Sequence, residues 1–336
     1  MARLRRGLHR KPRSATGARA QALLAEDQAS PAQEEIPTRY KSRVSTPPDI
    51  DTLKRLVGQS VPDLAAQPFA RVRNAGTDNL IYKIGDAHAL RVARRHEAIP
   101  SLAYREPVAM RSLKDLPLET PELVANGLTG MAESWPWLVC SWLEGESAEA
   151  VGHAFTETDA KRLALFLLDL QGQKRDFAAE PNIDNHWRGC PLVQRDAPTR
   201  GAIADVADDF DAIALAAIWK VALEAPPCLE RDRTWIHGDL HAGNLLVKDE
   251  ALSGVLDWGL SGLGDPASDL MAGFTLFEGA AQDAFWKASG ISETVWRRAR
   301  GWALSTSVIA YAFYRGTKTP IEKRSRKLLE DFSFSI

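Results

Sequence analysis

The stretch Trp235-Ile-His-Gly-Asp-Leu-His-Ala-Gly-Asn-Leu-Leu-Val247, followed by Gly254-Val-Leu-Asp-Trp-Gly259, carries three oxygen-bearing side chains at a distinctive spacing. Asp239 and Asn244 lie five residues apart, and Asp257 follows thirteen residues after Asn244. The runs Leu245–Val247 and Gly254–Leu256 read as strands joined by a turn over Lys248–Ser253. Such a hairpin returns Asp257 to the side of Asn244, while one tight loop presents Asp239 and Asn244 to the same cleft.

That convergence suits phosphoryl transfer. The acceptor oxygen must stand in line with a γ-phosphate, and one carboxylate, Asp239, can take its proton. Mg²⁺ prefers oxygen ligands and keeps several waters. Asn244 offers a neutral oxygen and Asp257 a charged one. Taken singly, each residue also suits a turn or a cap; taken together on a strand–turn–strand frame, they read as a kinase catalytic loop with its metal-binding Asp. His237 reads as a brace for the loop. The run His237-x-Asp239-x-His241 also fits the ligand set of a metallohydrolase, but that reading needs further ligands, and the seven histidines offer no second cluster.

Working outward, the 336 residues exceed what one compact domain usually holds, about 250. Residues 1–45 carry ten Lys/Arg against four Asp/Glu, so the rest of the chain is acidic although the total is only -2. We read 1–46 as a basic, mobile extension without the apolar segment of a secretory signal. An acidic body argues against nucleic-acid binding. Cys140, Cys190 and Cys228 form no CxxC pair and fit a reducing, cytoplasmic setting. The apolar stretches around 163–170 and 212–225 are too short or too interrupted to span a membrane. Residues 47–145 read as a sheet lobe: a helix over Ile50–Gly58, strands at 69–72, 80–84, 88–93 and 137–143, a hairpin turn at Gly85-Asp86, and a helix over Leu102–Leu113 that carries Glu106. Alternation puts Ala89, Arg91 and Ala93 on one face. Residues 146–336 read as mainly helical, starting from a capping box at Thr156-Glu-Thr-Asp159. Helices are expected over Asp205–Leu223, 266–279, 281–288, 293–314 and 321–330. The fold class is α+β, a small antiparallel sheet lobe followed by a larger helical lobe.

On His237–Asn244, Asp257 and Gly264-Asp-Pro-Ala-Ser-Asp-Leu270, the chain resembles the aminoglycoside phosphotransferase family, with its bilobal protein-kinase-like fold, over roughly residues 68–315. The resemblance implies a base at Asp239, magnesium ligands at Asn244 and Asp257, and Asp269 as support for the catalytic loop, although Asp269 also suits a helix cap. By order and spacing, Arg91 takes the place of the phosphate-facing cation and Glu106 that of its partner, where the family more often has Lys; Lys83 is the alternative cation. Gly76, in Asn74-Ala-Gly-Thr-Asp-Asn79, stands where kinases carry a glycine-rich loop, and no P-loop motif is present. Val139–Leu143 would form the hinge, with Ser141 and Leu143 on the nucleotide base.

The implied activity is transfer of the γ-phosphoryl group of ATP or GTP, with Mg²⁺, to a hydroxyl of an aminoglycoside-like or other small molecule. The partners are then nucleotide and acceptor, with no nucleic acid or membrane. The alternatives are a catalytically weak, pseudokinase-like nucleotide-binding protein, suggested by the sparse glycines and by Arg91, and a macrolide-type O-kinase. Asp184, Asp196, Asp208, Asp209 and Asp211 are candidate carboxylates for a polycation, and Trp187, Trp219, Trp258 and Trp302 are candidates for an apolar acceptor pocket.

Overall fold

Alternation along the first strands sets the architecture. In a computed structural model that describes residues 47–72, 78–130 and 134–334, the chain opens with helix α1 (Ile50–Ser60), capped by Asp49, whose side chain accepts the Thr52 N–H at 2.8 Å. Strands β1 (Phe69–Arg71), β2 (Asn79–Ile84) and β3 (His88–Ala93) follow, then helix α2 (Glu106–Ser112) and strands β4 (Leu123–Leu128) and β5 (Pro136–Ser141). Among the described residues these strands form one antiparallel sheet in the order β1-β2-β3-β5-β4. The basic extension 1–46 and Gly76 lie outside the described residues.

The two faces of the sheet bury different clusters. Leu90, Val92, Trp137 and Val139 pack against Leu53 and Val57 of α1. Ala89, Ala93, Leu138 and Cys140 pack against Leu102 and Met110, on the side of α2. Period-two geometry therefore places Arg91 on the α2 face between two alanines, where the short side chains leave room for a guanidinium. The helix expected over Leu102–Leu113 is in fact a π-helical turn, Ser101–Arg105, running into α2. Strand β4 was not foreseen: its residues are half-buried, its pairing with β5 slips between Leu123 and Ala125, and Asn126-Gly127 has the composition of a turn.

After β5 comes a short strand β6 (Glu146–Ser147), then helix α3 (Glu157–Gln171), which begins at the expected capping box. The helix expected over Asp205–Leu223 begins only at Ala212, as α5 (Ala212–Glu224), and an unexpected helix, α4 (Asp196–Asp205), precedes it. Asp211 separates them, because its carboxylate accepts the N–H groups of Ile213 and Ala214 at 3.0 and 3.1 Å and so starts a new helix. Strands β7 (Thr234–Ile236), β8 (Leu245–Lys248), β9 (Ala251–Val255) and β10 (Gly262–Gly264) carry the segment with which the sequence reading began. The β8–β9 turn is tighter than expected. Asp249 and Glu250 both take left-handed φ, 51° and 59°, a two-residue turn usually signalled by Asn-Gly. The expected helix over 266–279 is two single turns, Ala267–Leu270 and Ala272–Thr275. Helices α6 (Gly279–Ser289), α7 (Glu293–Tyr314) and α8 (Pro320–Ser333) complete the chain.

The described residues fall into two compact units, one of Leu192–Glu224 with 304–334, the other of 47–191 with Ala225–Ala303. The second contains the sheet, the hairpin and the whole of the candidate site. Its internal anchor is Asp159, whose Oδ1 accepts the Leu252 N–H of β9 at 2.8 Å, while Oδ2 accepts the Thr156 N–H at 2.9 Å and meets His153 Nε2 at 3.0 Å. Burial acts to raise the Asp159 pKa, but these hydrogen bonds outweigh it and hold the carboxyl below its ordinary value. A carboxyl depressed in the folded state stabilises the fold above its unfolded pKa, about 3.9, and that stability is lost as pH falls below it. Urea denaturation across this range should show Asp159→Asn less stable by about 1–3 kcal/mol at neutral pH, with the gap from wild type narrowing in acid.

Candidate active site

Three segments meet at Arg91. Its Nη1 lies 2.8 Å from Glu106 Oε2 of α2, and its Nη2 lies 3.3 Å from Asp257 Oδ1, just past the β8–β9 hairpin. Arg91 is 6% exposed and Glu106 fully buried. Burial disfavours the Arg91 charge, yet Glu106 and Asp257 more than offset this, and the guanidinium pKa is raised. Burial likewise pushes the Glu106 carboxyl up, to about 7, against the pull of Arg91. Asp257 is more open, with 39% of its side chain exposed. Its backbone is left-handed at φ 63°, a conformation that costs a non-glycine residue about 1–3 kcal/mol. A Cβ at Gly259 would stand 2.3 Å from Ser101 Oγ and 3.3 Å from Glu106 Oε1, so a side chain there would displace Ser101. Lys83, the alternative cation, does not join this group; it lies 3.9 Å from Glu144 and 4.8 Å from the Trp142 ring.

The loop that carries Asp239 is held from below by Asp269. One oxygen accepts the His237 N–H at 2.5 Å and the other the Gly238 N–H at 2.8 Å. Burial raises the Asp269 pKa, while His237 and these two bonds pull it down without cancelling the rise. His237 is locked in turn. Its Nδ1 accepts the Asp239 N–H at 3.2 Å, which leaves Nε2 to donate to Leu256 O at 2.9 Å. Trp258 covers the ring, with centroids 4.8 Å apart. Gly238 makes the turn possible at φ 82°, where a Cβ would meet Leu260 O at 2.5 Å.

Asp239 thus projects from a fixed loop with a third of its side chain exposed. Asn244 Nδ2 donates to Asp239 O at 2.9 Å and reaches Oδ2 at 3.3 Å. Leu256 N–H donates to Asn244 O at 2.8 Å and holds Asp257 alongside. Burial acts against ionised Asp239, but His241, Arg188 and His237 overcome it, and its pKa lies well below the usual carboxylate range. A carboxylate oxygen from Asp257 and an amide oxygen from Asn244 suit a hard cation that keeps waters.

Arg188 is the residue that the sequence did not suggest. Its Nη2 lies 3.7 Å from Asp239 Oδ1. It follows two left-handed residues, His186 and Trp187, of which the tryptophan is not a residue type that announces such a turn. Arg105 was likewise unforeseen. It donates to Ser261 O at 2.7 Å, Glu180 O at 2.9 Å and Asn182 Oδ1 at 2.8 Å, tying the approach to α2 to the segment before Arg188. At the hinge, the Ser141 N–H is engaged by Glu122 O at 2.9 Å and the Trp142 N–H by Ala87 O at 2.8 Å.

Other expectations fare differently. Trp219, Trp258 and Trp302 are core residues, 0–1% exposed, so only Trp187 of the four tryptophans is open. The hydrolase ligand set does not form: both His237 nitrogens are engaged, and His241 Nδ1 accepts the Gly243 N–H at 3.0 Å. Among the described residues, no group of three or more His, Cys, Asp or Glu is arranged to hold a metal. Burial pushes the Cys140 and Cys228 thiols up to about 12, so neither is a ready thiolate. No helix of the described residues is long and apolar enough to cross a membrane.

The sequence matches the profile of the phosphotransferase enzyme family, APH, over residues 70–302. The chain belongs to that family. Among curated proteins none matches the sequence. Solved structures share the fold. Macrolide 2'-phosphotransferase MphH from Brachybacterium faecium is 20% identical, covers 84% of this chain and 97% of its own, and superposes with a TM-score of 0.56. The gentamicin complex of APH(2")-IIa gives 15%, 84%, 96% and 0.56. A complex of APH(4)-Ia with AMP-PNP and hygromycin B gives 14%, 84%, 97% and 0.55. The fold is therefore the kinase-like one, with an antiparallel sheet lobe and a helical C-terminal region, and this family member is a phosphotransferase with an alcohol group as acceptor.

Because Asp269 is the acceptor for two buried loop N–H groups, Asp269→Ala should destabilise the protein by about 2–5 kcal/mol in urea denaturation. It should also lower phosphoryl transfer more than tenfold under conditions where the variant stays folded.

Proposed function

We propose that this chain transfers the γ-phosphoryl group of ATP or GTP to a hydroxyl of a small-molecule acceptor. The observation that carries the reading is the meeting of Asp239, Asn244, Asp257 and the Arg91–Glu106 pair in one unit of the fold. The solved relatives lend support of a coarser kind, since their names record GDP, ADP or AMP-PNP bound to aminoglycoside phosphotransferases, in one case together with hygromycin B, and one is a macrolide phosphotransferase.

Each residue then has a defined task. Asp239, ionised and fixed by the loop, orients the acceptor hydroxyl and receives its proton as the O–P bond forms. Removal of one such base typically slows transfer about 10²–10⁴-fold. Asn244 Oδ1 and Asp257 Oδ2 would hold Mg²⁺, which when bound neutralises phosphate charge. Arg91, kept in place by Glu106, supplies the positive charge that faces the nucleotide phosphates. With the Ser141 and Trp142 N–H groups engaged, Leu143 supplies the hinge donor and the Ser141 carbonyl the acceptor for the base edge. Gly76 belongs to the loop assigned to cover the phosphates.

The pseudokinase alternative requires a broken phosphate site. Against it, Asp239, Asn244 and Asp257 are all present, and Arg91 has a carboxylate partner at 2.8 Å. The direct test incubates the protein with Mg-ATP or Mg-GTP and a library of aminoglycosides, macrolides, sugars and hydroxy acids, and looks by mass for the acceptor plus HPO₃. Asp239→Asn should still bind Mg-nucleotide and lose product about 10²-fold or more. Nucleotide binding without product from any acceptor would favour the pseudokinase.

A further inference from the structure

The Asp239 carboxylate has two distinct sides. Oδ2 faces Asn244 Nδ2 at 3.3 Å and His241 Nε2 at 3.6 Å, whereas Oδ1 faces Arg188 Nη2 at 3.7 Å. Asn244 marks the metal side in the reading above, so Arg188 stands on the side left for an acceptor.

Arg188 is built into that position. His186 and Trp187 hold left-handed φ of 52° and 57°, and Gly189 follows at 76°. Strain at consecutive non-glycine residues persists only where the surroundings over-determine it. Here the buried Asn185 donates Nδ2 to Arg188 O at 3.2 Å and to Leu260 O at 3.3 Å, and the Asp265 N–H donates to Gly189 O at 2.8 Å. The side chain is only 13% exposed. A guanidinium so nearly buried is costly unless it meets anions, and Asp239 is one of them.

Three of the five carboxylates named as candidates for a polycationic acceptor are engaged elsewhere. Asp196 accepts Trp219 Nε1 at 2.6 Å and Arg200 Nε at 2.7 Å. Asp209 pairs with Arg315 at 3.0 Å, and Asp211 caps α5. Positive charge stands beside the base, and much of the negative charge foreseen for a polycation is internally paired.

We propose that Arg188 recognises an anionic group on the acceptor, a carboxylate or a phosphate monoester, close to the hydroxyl that Asp239 addresses. This rests on the kinase reading and narrows its substrate class: the Arg188 guanidinium meets the anion with charge-assisted hydrogen bonding, while Asp239 takes the hydroxyl.

The experiment is a calorimetric titration of the full chain loaded with Mg-AMP-PNP, using glycerate, glycerol 3-phosphate, glycerol and kanamycin as probes. At least one anion should bind about tenfold or more tightly than glycerol, and the better of the two identifies carboxylate or phosphate. Arg188→Gln should erase that margin and Arg188→Lys should keep part of it. In transfer assays with the anionic acceptor, the Arg188→Gln loss should fall mainly on KM. Kanamycin binding above both anions, anions no better than glycerol, or a preference that survives Arg188→Gln would each overturn the proposal. Should Arg188→Gln fail a thermal-melt check for folding, the ranking of probes on wild type still decides. A wild-type protein that does not bind Mg-AMP-PNP would instead defeat the kinase reading, and this inference with it.

Discussion

A buried arginine cannot stand alone, and Arg91 is buried in the sheet. Moving such a charge out of water costs several kcal/mol even after relaxation. It is tolerable here because Glu106 and Asp257 converge on it from two other segments. The constraint runs both ways. Strand β3 must present residue 91 on the face of Ala89 and Ala93, α2 must turn Glu106 inward, and the hairpin must deliver Asp257 to within 3.3 Å. An arginine suits this better than a lysine, because its planar fork reaches two carboxylates at once where an ammonium is a single point charge. The same geometry joins the part of the site assigned to phosphate with the part assigned to metal.

The catalytic loop follows a different logic. It is positioned by hydrogen bonds to its backbone, with no packed apolar side chain on Asp239 itself. Asp269 takes two N–H groups, His237 takes a third and passes a bond on to Leu256, and Asn244 closes back on Asp239. Each buried donor left without its acceptor would cost about 1–3 kcal/mol, so the loop is rigid by mutual satisfaction. Left-handed residues at Gly238 and Asp257 are the local cost of turning the side chains into one cleft.

What could be read from the sequence was what depends on short spacing. Asp239, Asn244 and Asp257 sit on one loop and one hairpin, so their meeting follows from local geometry. The place of Arg91 followed from strand alternation, and helix α3 from its capping box. Strand β4 escaped because a bulge breaks its alternation and Asn126-Gly127 looks like a turn. The break between α4 and α5 escaped because Asp211 acts as a cap inside an apolar-periodic run. Arg188 and Arg105 escaped for a deeper reason. Their partners lie 51 and 156 residues away, and left-handed backbone at Trp187 has no sequence signal. Three of the tryptophans offered as pocket walls are core, which residue type alone does not reveal.

The central claim is that the Arg91–Glu106–Asp257 cluster assembles a site for a magnesium-bound nucleotide. Calorimetric titration of the full chain with ATP or GTP, in Mg²⁺ and again in chelator, tests it most directly. The account predicts binding at least about tenfold tighter with Mg²⁺, a difference of about 1.4 kcal/mol, and loss of that difference in Asp257→Asn. Nucleotide affinity indifferent to Mg²⁺, or a magnesium effect that survives in Asp257→Asn, would contradict it.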